Sequence, residues 1–240
     1  MGYCVNAKIQ EVPISALGNI AHSVIFSSLA KVQDDKKQFN LLFNKISTAL
    51  SAIMGFLSLF IVFYSKNIIT ILFGEQWLGS FFFLQILIVV AFFHIHETYN
   101  HVIFKTFDQT QKILYLEIVK KIIQSISIII GIIFLDITIL LYGYLFTSII
   151  SYSLNLYYAR KETNESFSSE LFKISKIIFS ACITAILLFV ISFNLNFEGY
   201  FNFALLPFMV ITYFMLLKIM NVFNVVEDAK SIYQNVLKKK

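Results

Sequence analysis

Long apolar runs alternate with short polar breaks along almost the whole chain. Seven apolar segments stand out, at 13–30, 46–64, 81–104, 117–135, 137–159, 177–193 and 200–217. A helix crossing the roughly 30 Å hydrocarbon core of a bilayer needs about 20 apolar residues. Each segment is therefore predicted to be a transmembrane helix. The fold class expected is all-α integral membrane, a single bundle of about seven transmembrane helices. Two of the seven are weak. The first carries Ser15, Asn19, His22 and further serines, and the fourth is short and borrows residues from the 115–121 side.

The lysines decide whether the weak first segment crosses. If it does, the connections after the odd-numbered spans hold Lys31, Lys36, Lys37 and Lys45, then Lys105, Lys112, Lys120 and Lys121, then Arg160, Lys161, Lys173 and Lys176, then five lysines in the tail. The opposite side holds only Lys8 and Lys66. Seventeen of the 19 basic residues thus fall on one side. Basic loops stay in the cytoplasm, so the N-terminus is expected outside and the C-terminus inside. Lys31, Lys36, Lys37, Lys120 and Lys121 read as cytoplasmic anchors against anionic lipid. Trp77 falls on the outer side, where interfacial indoles concentrate. No apolar signal-peptide core precedes the first span, and the outside N-terminus reads as if a membrane-spanning segment precedes it.

Composition agrees with the periodicity. The chain is 58% hydrophobic and 14% charged with a mean hydropathy of +0.77, whereas soluble domains average about 25% charged residues. The net charge of +5 does not point to nucleic acid, because the lysines sit between apolar spans rather than along one exposed face. Cys4 and Cys182 are far apart and lack metal-ligand spacing,. No nucleophile–base motif, phosphate loop or paired carboxylates in a pocket are present, so no enzymatic activity and no cofactor is expected.

Ionisable groups inside a span are costly unless they face protein or a wet cavity, so polar faces on apolar helices mark candidate function. Two spans carry one. In the first, Ser15, Asn19 and His22 share a face at i, i+4, i+7,. In the third, within FFHIHETYNHVIFK (92–105), His94, Glu97, Thr98, His101 and Lys105 share a face while His96 points away,. These stripes read either as helix–helix seams or as the lining of a polar passage. Glu97 and His101, at i, i+4, are placed to pair. Lys105 lies near the inner end, where it snorkels to the headgroups. His94, Glu97 and His101 would give zinc three ligands, but no fourth ligand or second chelating pair accompanies them, so no metal is expected.

Three ordered blocks resemble bacterial polysaccharide flippases, the lipid-linked oligosaccharide exporters of the multidrug/oligosaccharidyl-lipid/polysaccharide superfamily. The first is GYCVNAKIQEVPISALGNIAHSVIFSSLAKVQDD (2–35), with Gly2, Tyr3, Ala7, Pro13 and the AKVQDD ending. LFGEQW with LQIL, and then LEIVKKII, follow in order. The pattern departs at Ser23 and Ser27, where the family usually has Arg and Pro, and at Ile95 and Asp108-Gln109. The resemblance covers most of 2–160 and implies a C-terminal half: one bundle of a two-bundle, MATE-like fold around a cavity of alternating access. It implies an undecaprenyl-diphosphate-linked oligosaccharide as substrate, membrane lipid as surroundings, and a separate N-terminal half as partner. The location implied is the bacterial inner membrane. Two alternatives stay open: a truncated, non-transporting remnant, and a membrane glycan polymerase or ligase. The short outer connections disfavour the last.

Overall fold

The computed structural model of the chain describes residues 35–195 and 199–223, together with Leu29 and Val32. The first predicted span, with Ser15, Asn19 and His22, and the anchor Lys31 lie outside the described residues. Seven α-helices and two 3-10 segments make up the described part, with no strand among them. They are α1 (Lys36–Phe63), α2 (Ser65–Phe73), a 3-10 turn (Glu75–Ser80), α3 (Phe81–Thr106), α4 (Thr110–Ile133), α5 (Ile137–Thr163), α6 (Phe167–Asn194), a 3-10 segment (Gly199–Leu205) and α7 (Leu206–Ile219). This is an all-α membrane protein. Five of the described helical stretches are long and apolar enough to cross a bilayer: 36–63, 75–106, 137–163, 167–194 and 202–219. The segment predicted at 117–135 lies on α4, which carries Glu117, Lys120 and Lys121 and is not among those five.

Local chemistry sets the helix ends. The Asp35 carboxylate accepts from the backbone N–H groups of Lys37 and Gln38 at 3.0 and 3.1 Å, capping α1,. Asp136 does the same for α5 through Thr138 N–H at 2.7 Å. Asn164 closes α5 in the left-handed conformation, φ 56°, which Asn tolerates better than most residues. Gly74 ends α2 at φ 88°, a backbone state that a side chain would strain. It is the glycine of LFGEQW.

The chain divides into two compact units. One holds residues Met1–Asn44 and Phe82–Phe167, the other Lys45–Phe81 and Ser168–Lys240. In the first, α4 and α5 form a tight antiparallel hairpin that packs closest at glycines. A Cβ on Gly131 would lie 2.9 Å from Leu140 Cβ and 3.2 Å from its Cα, and one on Gly143 would collide with Ser127 Oγ. Such small-residue contacts let membrane helices approach and gain dispersion energy where lipid offers no hydrophobic drive. Toward one end of this unit, Ile86, Leu87 and Val90 of α3 bury against Leu141 of α5. At the other end, Asn40 of α1 donates to the Thr163 carbonyl at 2.9 Å. Arg160, 2% exposed, donates to Asn44 at 3.1 Å and lies over the Phe43 ring at 5.5 Å.

In the second unit, Tyr213 of α7 donates its hydroxyl to the Ala52 carbonyl of α1 at 3.0 Å. Gly55 makes room for that ring, since a Cβ there would meet the Tyr213 hydroxyl and Ile177. Tyr64 stacks on Phe203 at 4.8 Å and donates to the Asn202 carbonyl. Lys176 of α6 donates to the Met220 carbonyl at 3.0 Å. Its ammonium thereby meets the negative end of α7.

Candidate functional site

Among the described residues, the most polar interior of the first unit lies where α3, α4 and α5 meet, and Glu97 is its centre. The Glu97 side chain is 2% exposed. Its Oε2 takes the Lys120 ammonium of α4 at 2.9 Å and faces His94 Nδ1 at 3.5 Å. Its Oε1 accepts from Ser151 at 2.8 Å and Asn155 at 3.2 Å, both on α5. One carboxylate thus binds two neighbouring helices and satisfies both oxygens, the condition under which a buried charge is tolerated. Lys120 is bracketed in turn, with Glu117 at 3.7 Å on its other side.

Asn155 connects this carboxylate to His101. The Asn155 amide donates to Glu97 and to the Ser151 carbonyl at 2.9 Å, so its Oδ1 is left to accept from His101 Nε2 at 3.0 Å. His101 therefore carries its proton on Nε2, by the logic of the network. Glu97 and His101, placed to pair by their spacing, meet through Asn155.

His96 occupies the other side of α3, as its position predicts. Its ring packs on Phe92, Tyr99 and Tyr152 at centroid distances of 4.5 to 5.7 Å, with Nδ1 on the Phe92 carbonyl at 2.6 Å. His94 is 41% exposed, at the edge of the network.

Glu97, His101 and Glu117 each offer a ligand atom, and these lie within 4.8 Å of one another. Such a set would suit a divalent cation by donor type. The Lys120 ammonium, however, already bridges the two carboxylates, so the positive charge is supplied by the chain. A second ion pair, Lys112 with Glu162, joins α4 to α5 nearer their other ends.

Among the sequence-predicted residues, His94, Glu97 and His101 come together, and Lys120 joins them instead of facing lipid. Lys121 is exposed on α4, and Lys36 and Lys37 are exposed in the first turn of α1. The residues missed from sequence were Ser151, Asn155 and Glu117. Ser151 and Asn155 stand at i, i+4 on the span 137–159, a spacing that places both on one helical face, but Thr147, Ser148 and Ser153 of the same span leave that face unmarked in the sequence.

The fold and network define a membrane protein with a charged site buried among its helices. The family described as "Polysaccharide biosynthesis protein" matches residues 2–82. The lipopolysaccharide biosynthesis protein WzxC of Escherichia coli (strain K12) is 31% identical over 90 residues, 38% of this chain and 18% of that protein. An uncharacterized membrane protein in the cps region of Klebsiella pneumoniae is 30% identical over 90 residues, 38% of this chain and 19% of that protein. These matches bear out the resemblance to the polysaccharide biosynthesis flippase family, at low identity, and span under a fifth of each relative's length. No solved structure matches the chain.

Proposed function

We propose that the chain is part of a flippase that carries a lipid-linked oligosaccharide across the bacterial inner membrane for O-antigen, capsule or exopolysaccharide synthesis. It acts as a transporter and not as an enzyme. The observation that carries the reading is the match to polysaccharide biosynthesis proteins. The buried Glu97–Lys120–Asn155–His101 network adds support, because ionisable groups in membrane spans are retained for passage of polar cargo or for switching between states. The substrate is an undecaprenyl-diphosphate-linked oligosaccharide. Its sugars and diphosphate follow a polar passage while the prenyl tail stays in lipid. The bundle forms one wall of a cavity that opens alternately to either side, and a separate N-terminal half supplies the other. Ser15, Asn19, His22, His94, Glu97 and His101 line or support the passage. The N-terminus is periplasmic and the C-terminus cytoplasmic.

Deletion of the coding sequence in its native host tests this. The expected result is loss of surface polysaccharide with lipid-linked oligosaccharide held on the cytoplasmic leaflet, reversed by the wild-type sequence and much less by Glu97→Gln. Unchanged surface polysaccharide and no trapped intermediate would refute the proposal.

A further inference from the structure

The adjacent lysines Lys120 and Lys121 look equivalent in sequence, but a helix turns about 100° per residue. Lys120 faces inward to Glu97 and Glu117. Lys121 is exposed, and among the described residues its side chain meets only the neutral Gln124 amide, at 3.2 Å. It sits at the edge of a shallow groove of about 490 Å³ along α4. The groove has Glu117 and Lys121 at one end, with Ile122, Ile126 and Ile129 climbing away from them toward the α4–α5 turn. All three isoleucines are more than half exposed. The groove is therefore amphiphilic along its length, charged at one end and apolar at the other.

Its direction fits a lipid. Lys121 lies about 22 Å from the hairpin turn at Asp136, at 1.5 Å per residue. Its stem extends several ångströms further, which brings the ammonium to the headgroups of a roughly 30 Å hydrocarbon core. In the proposed orientation those are the headgroups of the cytoplasmic leaflet. A lipid there has its phosphate at Lys121 and its chain running up Ile122, Ile126 and Ile129 toward the bilayer centre. The charge of Lys120 is absorbed by two carboxylates, so Lys121 is left to select the headgroup.

We propose that Lys121 and the isoleucine rail of α4 form a binding site for one anionic phospholipid of the cytoplasmic leaflet. The site seats the exposed side of α4. The inference rests on the proposed orientation, which thiol labelling at positions 36 and 136 reports separately.

The test is native mass spectrometry of the purified 240-residue chain in mild detergent, with phosphatidylglycerol and phosphatidylcholine of identical chains offered in equal amounts. Phosphatidylglycerol is expected to be retained in preference. Lys121→Gln should cut that retention about fivefold, the effect of one surface lysine on an anionic lipid. Lys161→Gln, a lysine expected on the same side, should leave retention unchanged. Ile126→Asn should weaken retention of both lipids alike. Equal retention of the two lipids by the wild type, an unaltered Lys121→Gln variant or an unaltered Ile126→Asn variant would each overturn the site. Equal losses in Lys121→Gln and Lys161→Gln would overturn it too, by showing diffuse attraction instead. A polyprenyl phosphate that displaces phosphatidylglycerol at equal concentration would replace phospholipid as the occupant and overturn the assignment. Lys121 has no buried partner, so Lys121→Gln should melt with the wild type.

Discussion

Replacing Glu97 by Gln removes one negative charge from the centre of the α3–α4–α5 junction while keeping the side chain's shape. In the native chain Glu97 accepts from Lys120 at 2.9 Å, Ser151 at 2.8 Å and Asn155 at 3.2 Å. The amide that replaces the carboxylate has one acceptor oxygen, so it cannot serve both the ammonium and the α5 donors. Lys120, whose side chain is 11% exposed, would retain only Glu117, at 3.7 Å. Breaking a buried ion pair from one side costs about 3–5 kcal/mol. The amide oxygen can stay with the α5 donors while its NH2 faces Lys120, so the loss is that of the ion pair, and the residual Glu117 contact argues for the lower end of that range,. A net loss of about 3–4 kcal/mol is expected. Lys120→Met should cost about as much, about 3 kcal/mol, because it leaves the Glu97 carboxylate buried without its cation, offset only by the Ser151 and Asn155 donors,. The double variant should cost less than the two singles together, with a coupling of about 1.5–3 kcal/mol. The measurement is reversible unfolding of the purified protein in mixed micelles by titration with a denaturing detergent, for wild type, both singles and the double. Additivity within about 0.5 kcal/mol would mean the pair is not formed, and the account of the junction would fail.

Gly143→Ala places a methyl against Ser127 Oγ and should cost about 1–3 kcal/mol. Ser127→Gly in the same chain should recover most of it, read by the same unfolding assay. Gly74→Ala, at φ 88° and ψ 168°, a region nearly reserved for glycine, should lose about 1–3 kcal/mol by backbone strain alone, since nothing lies within 4 Å of its added Cβ. A loss much above that would show a contact the geometry lacks. Single-cysteine variants at Asp136 and Lys36, in a chain whose native cysteines are replaced, should react with an impermeant maleimide from the periplasm and the cytoplasm respectively. The reverse pattern would overturn the orientation.

Much of the fold was legible because a bilayer makes helix length and apolarity nearly sufficient conditions for a span. The runs at 46–64, 81–104, 137–159, 177–193 and 200–217 lie on described helical elements, apart from Tyr64 in the turn between α1 and α2. The polar face of α3 was equally legible, since His94, Glu97 and His101 share it by periodicity alone. Which groups answer that face was not. Lys120 reads as an anchor because one-dimensional counting treats every lysine near a span end alike, and only the rotation of α4 separates it from Lys121. Asn155 is 58 positions from Glu97, and nothing local marks it as the bridge to His101.

The sequence alone therefore determined the solvent this protein lives in, the helical class that solvent permits, and the presence of a costly ionisable stripe on the third span. Those follow from composition and from period, which are properties of a single helix. The tertiary structure alone decided that the stripe is neutralised from α4 and hydrogen-bonded from α5. The same holds for the glycine contacts at 131 and 143, and for two adjacent lysines of which one turns inward and the other outward. Each depends on which surfaces of separate helices meet, and that is set by the summed packing and electrostatics of whole helices.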